Sequence, residues 1–327
     1  MKKHSPVVAT LASLATLLLA SCVSTQPPHT PSEEPTQQRS NLPSVTAALR
    51  EQLFDSEGGV MVVAHRACWQ HTAENSLAAI RACRELGVGL IELDVRRSAD
   101  GHLVLMHDET VDRTTDGSGN VHELSLAELR QLRLRAGAGG AAAALTNERI
   151  PTFAEAMHAA SEAGLLVNVD AKGDVLEQSL AELERLGLLD HALIKSGALP
   201  DDPALRKLLA GRELMYMPIV REAGSAVLSD ATAAWRLPDG TSPLAFEFTF
   251  QTEQAFALAA QVARTRGARV WVNTLQPQHA AGHIDALAVR NPDEHWGHLI
   301  DLGANMIQTD APGALKDYLE KCGCGGQ

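Results

Sequence analysis

The sequence predicts an α/β protein: a (β/α)8 TIM barrel with a small insertion after the hairpin of its second strand. Three observations predict it. From about residue 59, short β-branched or apolar runs alternate with longer amphipathic ones, giving eight strand–helix units over roughly 260 residues. Polar and charged residues gather at the ends of several of those runs, where loops beyond strand C-termini build sites in parallel α/β proteins. No GxGxxG or GxxxxGK[ST] occurs, so neither a dinucleotide nor a P-loop fold competes.

The predicted strands are residues 60–66, 89–96, 165–172, 191–196, 213–220, 244–250, 269–275 and 304–310. Between them lie helical patterns, such as Leu176, Leu180, Leu183 and Leu186 at intervals of three or four. Another runs from Thr252 to Gly267, with the glycine as its C-cap. One place breaks the alternation. Asp100-Gly101 separates two strand-like runs and reads as a hairpin turn that returns the chain to the same barrel end. The segment from about 108 to 150, with two glycine-rich stretches, reads as the insertion: either a lid over the mouth or a passive surface excursion.

The N-terminus stands apart from this fold. Lys2 and Lys3 precede an Ala/Leu-rich run that ends in Leu19-Ala20-Ser21-Cys22. This is the pattern of a secretory signal over residues 1–21, and it resembles a bacterial lipoprotein signal whose cleavage leaves lipid on Cys22. An ordinary cleaved signal with an incidental cysteine is the alternative. Residues 22–43 are rich in Pro, Ser, Thr and Gln and read as a tether, reaching roughly 60 Å if stretched as polyproline. The barrel is assigned to 44–321 and a Gly/Cys tail to 322–327. The expected address is the cell envelope, lipid-anchored; Val23 after the cysteine favours the outer membrane by resemblance to lipoprotein sorting.

A net charge of −12 lacks the basic footprint nucleic acid requires. An anionic substrate would need a local basic pocket or a metal. Cys83 shares an apolar helix face with Leu77 and Ile80 and reads as a core residue. Cys322 and Cys324 have no second pair, which argues against zinc there. Nothing in the sequence sets a disulfide pairing or an oligomeric state.

The site candidates follow from strand geometry. Residues two apart face the same way, so Glu92 and Asp94 point together, as do Asp170 and Lys172. Three converging carboxylates repel, and a hard divalent cation, Mg²⁺ or Ca²⁺, is the usual remedy. Solvated charge, or pairing with Arg96 or Arg97, is the alternative. His65 and His107, each at a strand end, supply two groups that titrate near neutrality and suit general acid/base work. Arg66 offers a bidentate fork for phosphate oxygens, and Lys172 a second positive charge. Glu247 and Trp271 are further pocket candidates, with a structural ion pair the alternative for Glu247. Thr72 is expected to cap a helix with Glu74 in its first turn, so Glu74 and Asn75 read as structural. The chemistry suggested is metal-assisted phosphodiester cleavage with a histidine pair.

These motifs together resemble the glycerophosphodiester phosphodiesterase family. The resemblance is carried by His65-Arg66-Ala67, Ala73-Glu74-Asn75-Ser76, Ile91-Glu92-Leu93-Asp94-Val95, Asp100-Gly101 and His107-Asp108. It continues through Asp112-Arg113-Thr114-Thr115-Asp116-Gly117, Ile150-Pro151-Thr152-Phe153, Val270-Trp271-Val272-Asn273 and Gln308-Thr309-Asp310-Ala311-Pro312. It implies a barrel with an insertion, one divalent cation on Glu92, Asp94 and Asp170, and His65 and His107 as acid and base. It also implies Arg66 and Lys172 near phosphate, with a glycerophosphodiester cleaved to an alcohol and glycerol 3-phosphate. The alternatives are a related barrel acting on intact or lyso-phospholipids and a non-catalytic lipoprotein that binds phosphoesters or a partner. Three departures stand out. Ala67 replaces the family's usual Gly, which matters where the backbone takes positive φ. Ala73 replaces a usual Pro, and Asp170 a usual Glu.

Overall fold

The computed structural model describes residues 45–222 and 227–325. The signal, Cys22 and the tether lie outside the described residues. The described residues from Val45 onward form the barrel. Among the described residues, no helix is long and apolar enough to cross a membrane.

In chain order the elements are α1 Val45–Phe54, β1 Met61–Ala64, α2 Leu77–Leu86, β2 Leu90–Arg97 and β3 Leu103–Leu105. The insertion follows, with α3 Leu126–Leu129, β4 Arg133–Arg135 and β5 Leu145–Arg149. Then come α4 Phe153–Ala163, β6 Leu166–Ala171, α5 Leu176–Leu186, β7 Ala192–Ser196, α6 Pro203–Leu209 and β8 Met215–Arg221. The chain closes with α7 Leu228–Ala234, β9 Ala245–Thr249, α8 Glu253–Thr265, β10 Arg269–Asn273, α9 Asp285–Ala288, α10 His298–Asp301, β11 Met306–Thr309 and α11 Pro312–Cys322. Strands β1, β2 and β6 to β11 pair in parallel, and a β1–β2 pairing closes the cylinder. Each predicted run matches one barrel strand to within two residues at either end, so the predicted (β/α)8 fold is the observed one. β3 runs antiparallel on β2, with Val95 opposite Leu105, as the Asp100-Gly101 turn requires; Gly101 sits at φ +88°.

The period of two along each strand sorts side chains into two cores. Leu93, Val95, Val167, Val169, Val270 and Val272 face outward and pack beneath the helices. Inward-facing Met61, Val63, Leu90, Leu166, Leu193, Met217, Trp271 and Met306 fill the lower barrel, where Leu53 of α1 joins them from below. One step higher, the same inward positions turn polar. Above Leu90 stand Glu92 and Asp94, above Leu166 stand Asn168 and Asp170, and above Leu193 stands Lys195. The barrel is thus sealed at one end and charged at the other.

One reading is corrected. Helix α2 is capped by Ser76, whose hydroxyl accepts from the Ala79 amide at 3.1 Å, not by Thr72. Ala73, Glu74 and Asn75 therefore precede the helix, and the last two are freed for other work. Cys83 is buried on α2, as expected of a core residue, and is bonded to Cys68; Cys322 and Cys324 are bonded to each other. The insertion, read as a lid or a passive surface excursion, is a packed segment. Val111, Val121, Leu129 and Leu134 pack with Val104, Met106 and Ile150 into a small core of its own.

Candidate active site

Strand alternation brings Glu92 and Asp94 to the same side of β2, and the β2–β6 register sets Asp94 directly beside Asp170. One carboxylate oxygen from each of the three residues lies within 4.8 Å of the others. Glu92 and Asp94 are almost fully buried. Like charges so close at an effective dielectric near 20 repel by roughly 4 kcal/mol per pair, so the cluster needs compensation.

Part of that compensation comes from the chain. The Lys172 ammonium lies 2.9 Å from both Asp94 Oδ1 and Asp170 Oδ2, and Lys195 lies 3.1 Å from Asp170 Oδ2. The Arg66 amide donates to Glu92 Oε2 at 3.0 Å, and its guanidinium Nε stands 3.5 Å from Asp94. Asn75 clasps Asp94 at both ends: its amide donates to Oδ2 at 2.8 Å while its carbonyl accepts from the Asp94 backbone N–H at 3.1 Å. The balance is uneven. Burial, and then the charge of Asp94, push Glu92 above the ordinary carboxylate range. Asp94 is buried just as deeply, yet Lys172, His107 and Arg66 hold it well below that range. Asp94 Oδ1 has the Lys172 charge nearby but no aligned hydrogen bond.

The three carboxylates fit a divalent cation. Their oxygens span a distance that one hard ion with ligands at roughly 2.0–2.6 Å bridges, and one buried oxygen lacks a directed partner. An all-oxygen donor set suits Mg²⁺ or Ca²⁺ better than zinc.

Both histidines are held through Nδ1 by a carboxylate. His65 meets Asp310 Oδ1 at 2.8 Å and His107 meets Asp108 Oδ1 at 2.7 Å. That fixes each ring and leaves Nε2 for proton transfer. Their environments differ. Burial lowers the pKa of His65, but the Asp310 hydrogen bond and the Glu92 charge outweigh it, so the net displacement is upward. Burial dominates at His107 and pushes it down.

Glu74 is the residue whose role the sequence misread. It is buried and accepts from Arg66 at 3.0 and 3.1 Å and from Arg113 at 2.8 and 2.9 Å. Arg113 reaches on to Asp108 at 2.7 and 2.9 Å. An unbroken chain of ion pairs thus runs from Arg66 through Glu74, Arg113 and Asp108 to His107, and the insertion enters the site through Arg113. Lys195 was not singled out in the sequence, and Asp310 entered only within the motif that carries the family resemblance. They lie at or next to the ends of predicted strands, in Ile194-Lys195-Ser196 and Gln308-Thr309-Asp310, and that position was the available signal.

All seven principal candidates, His65, Arg66, Glu92, Asp94, His107, Asp170 and Lys172, line one cleft of about 730 Å³. Glu247 lines it too, accepting from Asn273 Nδ2 at 2.8 Å with Lys195 at 3.6 Å, so the pocket and ion-pair readings both hold. Trp271 does not reach the cleft. It is fully buried in the lower barrel, and its indole N–H donates to Asn273 Oδ1 at 2.8 Å, supporting Asn273 from below.

A parallel barrel with a deep cleft of carboxylates, lysines and carboxylate-held histidines at its strand C-termini defines a class: (β/α)8 proteins with an acidic, cation-suited centre. Residues 65–194 match the model of the glycerophosphoryl diester phosphodiesterase family. Residues 216–319 also match a family described only as a domain of unknown function. A glycerophosphodiester phosphodiesterase of Caldanaerobacter subterraneus is 41% identical over 116 residues, 36% of this chain and 46% of that protein. Glycerophosphodiester phosphodiesterase 1 of Bos taurus is 37% identical over 147 residues, 41% of this chain and 42% of its own. The matches thus span under half the length of these curated relatives. Among solved structures, a glycerophosphoryl diester phosphodiesterase of Parabacteroides distasonis aligns with TM-score 0.65 at 20% identity, covering 86% of this chain and 93% of that one. An Oleispira antarctica phosphodiesterase, solved with the product sn-glycerol-3-phosphate, aligns with TM-score 0.58 at 21% identity, covering 80% and 97%. At these identities the structures speak to the fold.

The loop that carries Arg66 is left-handed: Arg66, Ala67 and Asn75 have φ of +55°, +64° and +53°. For Ala67, fully buried where the family usually has Gly, this conformation costs roughly 1–2 kcal/mol. A β-branched side chain there adds both backbone strain and overpacking. Ala67→Val is therefore expected to lose more than about 2 kcal/mol in chemical denaturation, and Ala67→Gly to change stability by less than about 1 kcal/mol. A Val variant as stable as the parent would remove the conformational constraint from this account.

Proposed function

We propose that the chain hydrolyses glycerophosphodiesters to an alcohol and glycerol 3-phosphate, with His65 and His107 moving the protons. The observation that carries this reading is the pair of carboxylate-held histidines facing one cleft with Glu92, Asp94 and Asp170. The relatives named as glycerophosphodiester phosphodiesterases, and the product-bound neighbour, support the substrate class.

Each residue has a part that its surroundings suit. Glu92, Asp94 and Asp170 would hold one divalent cation, Mg²⁺ or Ca²⁺, which when bound supplies charge stabilisation to the phosphate oxygens. Arg66, held by Glu74, presents a fixed guanidinium to the phosphate. Lys172 adds positive charge beside it, where negative charge grows on the reacting phosphate. One histidine takes a proton through Nε2 from the attacking hydroxyl, which is either water, giving glycerol 3-phosphate directly, or the substrate's own hydroxyl, giving a cyclic phosphate that water then opens to glycerol 3-phosphate. The other gives a proton to the leaving alkoxide. Asp310 and Asp108 hold the rings for this exchange.

The mature chain is proposed to sit in the cell envelope, anchored by lipid on Cys22, which the barrel's position after a Pro/Ser-rich tether supports. Expressed in a bacterium, the parent should fractionate with membranes and Cys22→Ala should not. A Cys22→Ala protein still bound to membranes would contradict the anchor.

Incubation with glycerophosphocholine, reading free glycerol 3-phosphate, tests the activity. His65→Ala and His107→Ala are each expected to lower turnover at least about 100-fold while far-UV circular dichroism stays that of the parent. Absence of glycerol 3-phosphate with the parent, alongside release of product from lyso-phospholipids, would move the reading to intact lipids. Near-parental turnover in either variant would remove that histidine from the mechanism.

A further inference from the structure

Away from the cleft chemistry, a second group of metal-ligating side chains gathers on the flank of the barrel mouth. Glu253 opens α8, His283 lies in the loop after β10, and His298 opens α10. Glu253 Oε1 meets His283 Nε2 at 3.0 Å, and Glu253 Oε2 meets His298 Nε2 at 3.0 Å. One ligand atom from each lies within 4.8 Å of the others. His283 is nearly buried, whereas Glu253 and His298 are part-exposed and give solvent a way in.

Two features separate this trio from an ordinary histidine–glutamate ion pair. The first is the backbone that delivers His298. A π-helical turn over Asp293–Gly297 runs directly into α10, and such widened turns recur where a helix must aim side chains at a site. It brings His295, three residues before His298, to the same histidine: the His283 ring centroid is 5.1 Å from that of His295 and 5.2 Å from that of His298. The second is the Nδ1···Nδ1 contact of 2.9 Å between His283 and His295. With a cation on Nε2, the His283 proton must sit on Nδ1, and His295 is placed to accept it. Ligating histidines are characteristically oriented by a partner for their other nitrogen.

We infer that Glu253, His283 and His298 form a transition-metal site of zinc character, with His295 orienting His283. Two imidazoles and one carboxylate are a borderline donor set that suits Zn²⁺ and not Mg²⁺ or Ca²⁺. The two 3.0 Å contacts use different oxygens of Glu253, and one ligand atom from each residue already lies within 4.8 Å of the others, so side-chain shifts of about an ångström reach the roughly 3.3 Å edges of a tetrahedral zinc. The ion would tie together three segments: the start of α8, the β10–α9 loop and the start of α10, which the π-turn delivers. The middle one matters to the cleft. The Phe250 amide donates to His279 O at 3.1 Å, the Ala281 amide donates to Phe250 O at 3.0 Å, and Gln276, Gln278 and His279 of this loop line the cleft wall. The site is therefore a structural clamp on one wall of the substrate cleft, chemically distinct from the oxygen-only cluster at its floor.

Cobalt distinguishes the two centres, because four-coordinate Co²⁺ with nitrogen ligands absorbs strongly in the visible and six-coordinate oxygen-ligated Co²⁺ barely does. The full chain, stripped with chelator and titrated with Co²⁺, should develop an intense visible band that one equivalent of Zn²⁺ abolishes. His298→Ala and the near-isosteric Glu253→Gln should lose the band, and His295→Ala should weaken binding about 10–100-fold. Glu92→Gln should keep it. A parent protein without the band, or a band that survives both His298→Ala and Glu253→Gln, would overturn the assignment.

Discussion

Glu92, Asp94 and Asp170 bring three negative charges into a barrel mouth where two of them are cut off from water, and the surrounding structure answers that charge. Lys172 and Lys195 reach the cluster from β6's end and β7, Arg66 from the loop after β1, and Asn75 from the approach to α2. Two of these groups are also committed elsewhere, Lys195 to Glu247 and Arg66 to Glu74. Arg66 is shared with Glu74, Glu74 with Arg113, and Arg113 with Asp108, so neutralising the carboxylates also locates His107. A buried ion pair that loses one partner leaves an uncompensated charge at a cost of several kcal/mol, which makes the network cooperative. The left-handed turn at Arg66 and Ala67 is the backbone consequence, since it turns the Arg66 amide onto Glu92.

Much of this was legible in the sequence because alternation along a strand is a local rule. Once 89–96 and 165–172 are read as neighbouring strands, the orientations of Glu92, Asp94 and Asp170 follow from parity alone. The Asp100-Gly101 turn likewise announced the hairpin that returns His107. What resisted reading depends on contacts distant in sequence. Glu74 looked like a first-turn carboxylate because Thr72 is a plausible cap; Ser76 takes that part, and an arginine 39 residues onward claims Glu74. Asp310 lies 245 residues from the histidine it holds. Trp271 shares the inward parity of Asn273 but sits one layer lower, and parity says nothing of height within a barrel.

The insertion shows the same limit. Its glycine-rich stretches left a lid and a passive excursion both open, yet spaced apolar residues pack against Val104, Met106 and Ile150, and the resulting platform delivers Arg113. Two of those partners, Val104 and Met106, lie in β3 and just beyond it, outside the insertion, so the segment's own composition does not reveal the core. The cluster of Glu253, His283 and His298 escaped for a related reason: its members come from three separate connections, and only the folded barrel brings them together.

The central claim is that the acidic floor of the cleft is a cation site and not merely a salt-bridge network satisfied by lysines. Crystals soaked in Mn²⁺, which substitutes for Mg²⁺ and Ca²⁺ and scatters anomalously, test it most directly. The account predicts an anomalous peak within ligand distance of Glu92, Asp94 and Asp170, with Lys172 displaced from at least one carboxylate. No peak there at saturating Mn²⁺, with both lysines still seated on Asp170, would contradict it.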